Sequence, residues 1–280
     1  MFRPLRLASM LGGLLLSAAA SAADIDAATY GYPLTNPFEA TIATTPPELR
    51  PDLPTDDDID QSDYSLTLRP ERAFTLPDNF WPVKKLRYRL AEQDHEAPLI
   101  FLIAGTGAPY NSSINEYLKR LYYKAGYHVV QLSSPTSYDF MSAASRFATP
   151  GVSTEDAEDM YRVMQAVRAQ HPRLPIKEFY LSGYSLGALD AAFVAHLDET
   201  RRSFNFKRVL LLNPPVNLYT SISNLDRLVQ TEVKGVTSHT TFYELVLNKL
   251  TRYFQQKGYI DLNDALLYDF QQSRQHPVSY

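Results

Sequence analysis

Cysteine is absent from all 280 residues. No disulfide can brace the fold and no lipid can be attached through a thiol, so a small disulfide-stapled domain is excluded. Positive charge is short as well. The 27 Lys and Arg are outnumbered by 31 Asp and Glu, for a formal net charge of −4. A nucleic-acid binder would carry a basic face, and the composition gives no reason to expect one. The apolar run at 7–16 is too short to cross a bilayer comfortably, so no stable membrane anchor is expected. No internal repeat is evident, and the sequence leaves protein partners open.

Several binding signatures are missing too. Gly105-Thr106-Gly107 has neither the third glycine of a dinucleotide fingerprint nor the Lys-Ser/Thr of a phosphate loop. No His-Arg-Asp or Asp-Phe-Gly run marks a kinase. The acidic stretch Asp56-Asp57-Asp58-Ile59-Asp60 lacks the glycine and terminal glutamate of a calcium loop, and reads as a solvated charge run.

What is present starts at the first residues. A basic opening with Arg3 and Arg6 precedes the apolar run, and small residues fill 17–23. This is the layout of a signal peptide cut after Ala22, and it implies a secreted or periplasmic protein. Residues 23–62 are rich in proline and acid and read as an extended surface arm. With 45% hydrophobic residues, the remainder is long enough for one large domain with a substantial core.

Residues 64–68 and 83–90 alternate apolar and polar side chains, as half-buried strands do. The run 98–104 is continuously apolar, which fits a strand buried on both faces. Ile114, Tyr117, Leu118, Leu121 and Tyr122 then recur at helical spacing, with Gly126 at the stop. Residues 128–132 read as a strand, 133–152 as a loop, and 153–167 as a helix opened by Ser153. A strand at 177–182, a helix at 186–197 and a strand at 208–213 follow. This alternation implies a parallel sheet with helices on both faces. Two apolar-striped helices are expected in the last stretch, at 240–254 and 263–272.

The chemically informative run is Gly183-Tyr184-Ser185-Leu186-Gly187, on the turn between the 177–182 strand and the 186–197 helix. It matches the Gly-x-Ser-x-Gly nucleophile elbow in its required strand–turn–helix context. The alternative is an ordinary helix-capping serine. In an elbow, Ser185 projects from the sheet edge at a helix N-terminus, where free N–H groups favour developing negative charge. A side chain at position 183 or 187 would crowd the neighbouring strand or helix.

Over residues 64–215 the chain resembles the α/β-hydrolase superfamily, on this elbow and on Ala104-Gly105-Thr106-Gly107 upstream. The second motif is looser, because family members often carry His-Gly where Ala104 stands. The resemblance implies an α/β fold with a mostly parallel sheet flanked by helices over 63–216. The C-terminal helices, 217–280, would resemble a cap. It also implies Ser185 as nucleophile and the N–H groups of Leu186 and Thr106 as oxyanion donors. A small-molecule or lipid-like ester is the implied substrate, with no cofactor and no metal.

The family places its acid and then its histidine after the serine, following later strands, and no such strands are apparent beyond Pro215. Only His239 and His276 follow the elbow helix. His276, near the C-terminus, is the candidate base, and Asp261, Asp264 and Asp269 are candidate carboxylates. Asn213 stands where some members put the acid, but it is neutral. Two explanations follow. One is a C-terminally truncated serine hydrolase whose later residues are the cap and whose last strands are missing. The other is a complete chain with an improvised triad or none, and in the latter case a binding role.

Overall fold

The computed structural model describes residues 50–68 and 84–229, with the isolated positions 238, 240, 244, 247, 248 and 251. The expected signal peptide, most of the 23–62 arm, His239 and His276 lie outside the described residues. Nearly all described residues belong to one compact unit, Pro51–Gly235, and the other unit joins Met1–Arg50 with Val236–Tyr280.

Among the described residues six strands form one sheet: β1 (Gln61–Leu66), β2 (Leu86–Ala91), β3 (Ala97–Ile103), β4 (His128–Leu132), β5 (Ile176–Tyr184) and β6 (Val209–Leu212). Five helices with described bounds accompany them: α1 (Ser113–Lys124), α2 (Tyr138–Ala143), α3 (Ser153–Gln170), α4 (Leu186–Arg201) and α5 (Leu218–Val229). The strand order is β1-β2-β4-β3-β5-β6. β1 and β2 are antiparallel to their neighbours, and β4, β3, β5 and β6 are mutually parallel. The sheet is therefore mostly parallel with an antiparallel opening, as the sequence patterning implies.

β3 explains why both faces need cover. Its alternate residues Leu99, Phe101 and Ile103 join one core with Val163 and Met164 of α3 and Ala191 and Val194 of α4. Ile100 and Leu102 face the other way, against Leu118 of α1 and Ile59 of the arm. A strand with apolar side chains on both faces is stable only when helices bury both. The chain leaves β3 toward β4 on one side and returns to β5 on the other. Strand order reverses there, and open α/β sheets bind ligands in the crevice at the strands' carboxyl ends beside such a point.

The parallel register levels those ends. Ile103 lies beside both Leu132 and Gly183, and Tyr184 lies beside Leu212. The loops after β3, β4, β5 and β6 consequently emerge along one rim.

The structure departs from the sequence expectations in three places. The 133–152 stretch is not all loop, because it contains α2, whose N-cap Ser137 accepts a hydrogen bond from the Phe140 N–H. α5 lies inside the 217–280 stretch expected to be helical, but ahead of the two helices placed there, with none placed at 218–229. The acidic run is not merely solvated: Asp56 pairs with Lys119 at 3.0 Å and Arg120 at 3.0 Å, and Asp56–Asp58 is a 3-10 turn. Helical backbone at positions 240, 244, 247, 248 and 251 agrees with the 240–254 expectation. The 263–272 helix lies outside the described residues.

Candidate active site

Ser185 is the last residue before α4, and its backbone sits at φ 55°, ψ −123°. Non-glycine residues adopt this region only when the surroundings force them to, at a cost of order 1–3 kcal/mol. The forcing groups are visible. Ser185 N–H donates to the Leu212 carbonyl of β6 at 2.9 Å, tying the turn to the neighbouring strand. A Cβ placed on Gly183 would stand 2.1 Å from the Gly187 carbonyl oxygen. One placed on Gly187 would stand 2.3 Å from the Ala104 oxygen and 2.4 Å from that of Ile103. Only glycine fits either position, so the elbow presses α4 directly onto the end of β3.

The same approach brings the post-β3 loop to the nucleophile. A Cβ on Gly105 would lie 3.4 Å from Ser185 Cβ and 3.2 Å from the Tyr184 oxygen. Thr106, the next residue, is exposed. Leu186 begins α4, where a first-turn N–H has no intrahelical acceptor. Among the described residues, neither the Thr106 nor the Leu186 N–H is used by a backbone acceptor. Gly105 thus stands against Ser185 at the rim, with Thr106 following it and Leu186 following Ser185.

The base is a different matter. The four described histidines are all elsewhere. His128 starts β4, at the opposite end of the sheet. Its Nδ1 accepts from Gln93 N–H at 3.0 Å and its Nε2 donates to the Pro175 oxygen at 3.1 Å. Burial, first of all, pushes its pKa down, which keeps it neutral. His171 caps α3 and is bonded to Tyr88 Oη at 2.6 Å, and its pKa is likewise lowered chiefly by burial. His95 and His196 are exposed beside Asp94 and Glu199. No described side chain hydrogen-bonds Ser185 Oγ. His276 and the alternative His239 are not among the described residues, nor are Asp261, Asp264 and Asp269. Asn213 does stand at the rim after β6, exposed, with φ 51°.

Sequence reasoning missed the loop that braces this rim. Residues 133–137, after β4, are Ser133-Ser134-Pro135-Thr136-Ser137. Gly107 N–H donates to Thr136 Oγ1 at 2.7 Å, and Tyr110 N–H to Ser133 Oγ at 2.9 Å. Ser134 N–H donates to the Ala108 oxygen at 3.0 Å. Asp139 anchors the far side, accepting from Ser133 Oγ at 2.9 Å and Ser137 Oγ at 2.6 Å. The run of hydroxyls followed by Asp139 was the available signal. Among the described residues no group of histidines and carboxylates could hold a metal ion.

A mostly parallel sheet covered on both faces, with a strained serine between its fifth strand and the following helix, defines the α/β-hydrolase fold for the described unit. No family model and no curated protein matches the sequence. Among solved structures, the chain is similar to the Pyrococcus furiosus esterase Pf2001, at 14% identity and TM-score 0.43, covering 62% of this chain and 58% of that one. It is similar to a hyperthermophilic esterase from Pyrobaculum calidifontis at 20% identity and TM-score 0.38, covering 60% and 47%. A brefeldin A esterase, described as a bacterial homologue of human hormone sensitive lipase, gives 16%, TM-score 0.41, 69% and 51%. The chain therefore spans about half the length of these structures.

Proposed function

We propose that this protein is a serine hydrolase that transfers an acyl group to water, with Ser185 as nucleophile. The observation that carries this is the φ 55°, ψ −123° backbone of Ser185 at the β5–α4 junction. A helix-capping serine needs no such strain, and this one does not cap, since its side chain makes no capping hydrogen bond.

In the proposed reaction Oγ attacks an ester carbonyl as a base takes its proton. The oxyanion settles between the Leu186 and Thr106 N–H groups, each worth about 3 kcal/mol of barrier. Collapse expels the alcohol, which recovers the proton from the base. Water then repeats the attack on the acyl-serine and frees the acid. The base is His276 or His239, and a small-molecule or lipid-like ester is the substrate class. The charge and apolar pattern of residues 1–22 supports export to the periplasm or beyond.

A second reading has its own support, because no described histidine or carboxylate reaches Ser185. In that case the chain keeps the fold and binds a ligand without turning it over. One experiment separates the two. The full chain is incubated with a fluorophosphonate probe beside Ser185→Ala, His239→Ala and His276→Ala. Labelling that disappears in Ser185→Ala is expected, with a loss of at least about 100-fold in the variant lacking the base. Folded protein that takes no label overturns the hydrolase reading and leaves binding.

A further inference from the structure

We propose that Thr136 is a positioning residue of the oxyanion hole, an assignment that rests on the hydrolase reading above. The hole needs the Thr106 N–H aimed at the space beside Ser185 Oγ. The peptide on the other side of Thr106 decides that aim, and its N–H belongs to Gly107. Gly107 sits at φ 67°, with nothing within 4 Å of the place a Cβ would take, so packing does not hold this turn. Hydrogen bonds do. Thr136 Oγ1 accepts the Gly107 N–H at 2.7 Å. The same oxygen is bonded to Ser134 Oγ at 2.8 Å, and Ser134 Oγ accepts the Thr136 N–H at 3.2 Å. Ser134 is fully buried. It closes the circuit through its own N–H to the Ala108 oxygen at 3.0 Å. Within the loop, Ala108 N–H returns to the Gly105 oxygen at 3.0 Å.

The Thr136 hydroxyl thus fixes one face of the Thr106–Gly107 peptide to a rigid loop. With Gly107 N–H occupied there, Thr106 N–H, which has no backbone acceptor among the described residues, is left as the open donor of this turn. Without that acceptor the glycine-flanked turn is free to rotate, and a donor displaced by an ångström loses most of its effect on an oxyanion. The oxyanion exists only in the transition state, so the loss falls on kcat and not on KM.

The test uses Thr136→Val, which keeps the shape and removes the acceptor, and Thr136→Ser, which keeps the acceptor. Both are compared with the unaltered full chain for fluorophosphonate labelling rate and for hydrolysis of p-nitrophenyl butyrate. The expected result is a fall of about 10- to 100-fold in labelling rate and kcat for Thr136→Val, with KM within about threefold. Thr136→Ser restores most of it. A variant that melts with the unaltered protein and labels just as fast overturns this inference and leaves the hydrolase reading standing. Unaltered protein that neither labels nor hydrolyses overturns both. Should Thr136→Val fail to fold, amide exchange in the unaltered, isotope-labelled chain reads the same bond. The Gly107 amide is expected to exchange at least about 10-fold more slowly than that of Thr106, and the reverse order overturns the assignment.

Discussion

Gly187 and Gly107 lie on either side of the nucleophile, and each is glycine for a different reason. At Gly187 the obstacle is space, since any Cβ would sit 2.4 Å from the Ile103 backbone oxygen of β3. At Gly107 there is room, and the obstacle is the φ of 67° alone. Gly187→Ala is therefore expected to lower stability by at least about 3 kcal/mol or to prevent folding, because backbone cannot yield as a side-chain tip can. Gly107→Ala is expected to lose only about 1 kcal/mol. Thermal unfolding midpoints of the two variants check this, and equal losses would contradict it. The sequence made the first of these positions readable, because Gly-x-Ser-x-Gly ties its glycines to a known turn. It did not make Thr136 readable. That contact joins residues 29 positions apart through the parallel β3–β4 register, and no local pattern announces it.

At the scale of elements, periodicity located the strands and α1, α3 and α4 to within a few residues, but placed no helix at α5. It failed on α2, because six residues are too few to show a helical stripe. It also misjudged the acidic run, whose partner is 63 positions away in α1. Lys119 is fully buried there, and its ammonium donates to Asp56 Oδ1 at 3.0 Å, Gln61 Oε1 at 2.6 Å and Glu116 Oε2 at 2.5 Å. These bonds fasten the segment before β1 to α1 and so close the side of the sheet that only α1 covers among the described helices. Lys119→Met leaves those acceptors without their cation and is expected to reduce stability by about 3 kcal/mol in urea denaturation. The 51–60 segment should also be cut sooner in limited proteolysis. Unchanged stability and unchanged cleavage would mean that apolar contacts at Ile59 hold the segment by themselves.

For the whole molecule, stability as a function of pH turns on a group that the proposed chemistry leaves idle. Asp190 of α4 is 2% exposed, and its Oδ2 has no hydrogen-bond partner among the described residues. Burial, and then the nearby Asp156, push its carboxyl up to about 8. In the unfolded chain the same group ionises near its ordinary value of 3.8. Between those values the native state keeps a proton that the unfolded state has released, so stability falls as pH rises, by at most about 1.4 kcal/mol per pH unit. Below the lower value both states hold the proton and the penalty is gone. Asp190→Asn removes this term. Its advantage over the unaltered chain is expected to grow from about pH 5 to pH 8 in urea midpoints, and a constant difference would contradict it. Nothing in the sequence separated Asp190 from an ordinary solvent-facing helix residue, because its burial depends on how α3 and α4 meet.

The close seating of α4 on β3 also shapes what a saturation library of this gene would contain. Every replacement at 183 or 187 adds a Cβ that meets backbone, so those two columns should be empty under any selection that requires folded protein. At 106 the proposed chemistry borrows only a main-chain N–H, and the exposed side chain is free to vary, proline excepted. A survivor map blank at the elbow glycines and well filled at 106 would separate the demands of assembly from those of turnover without a substrate ever being named.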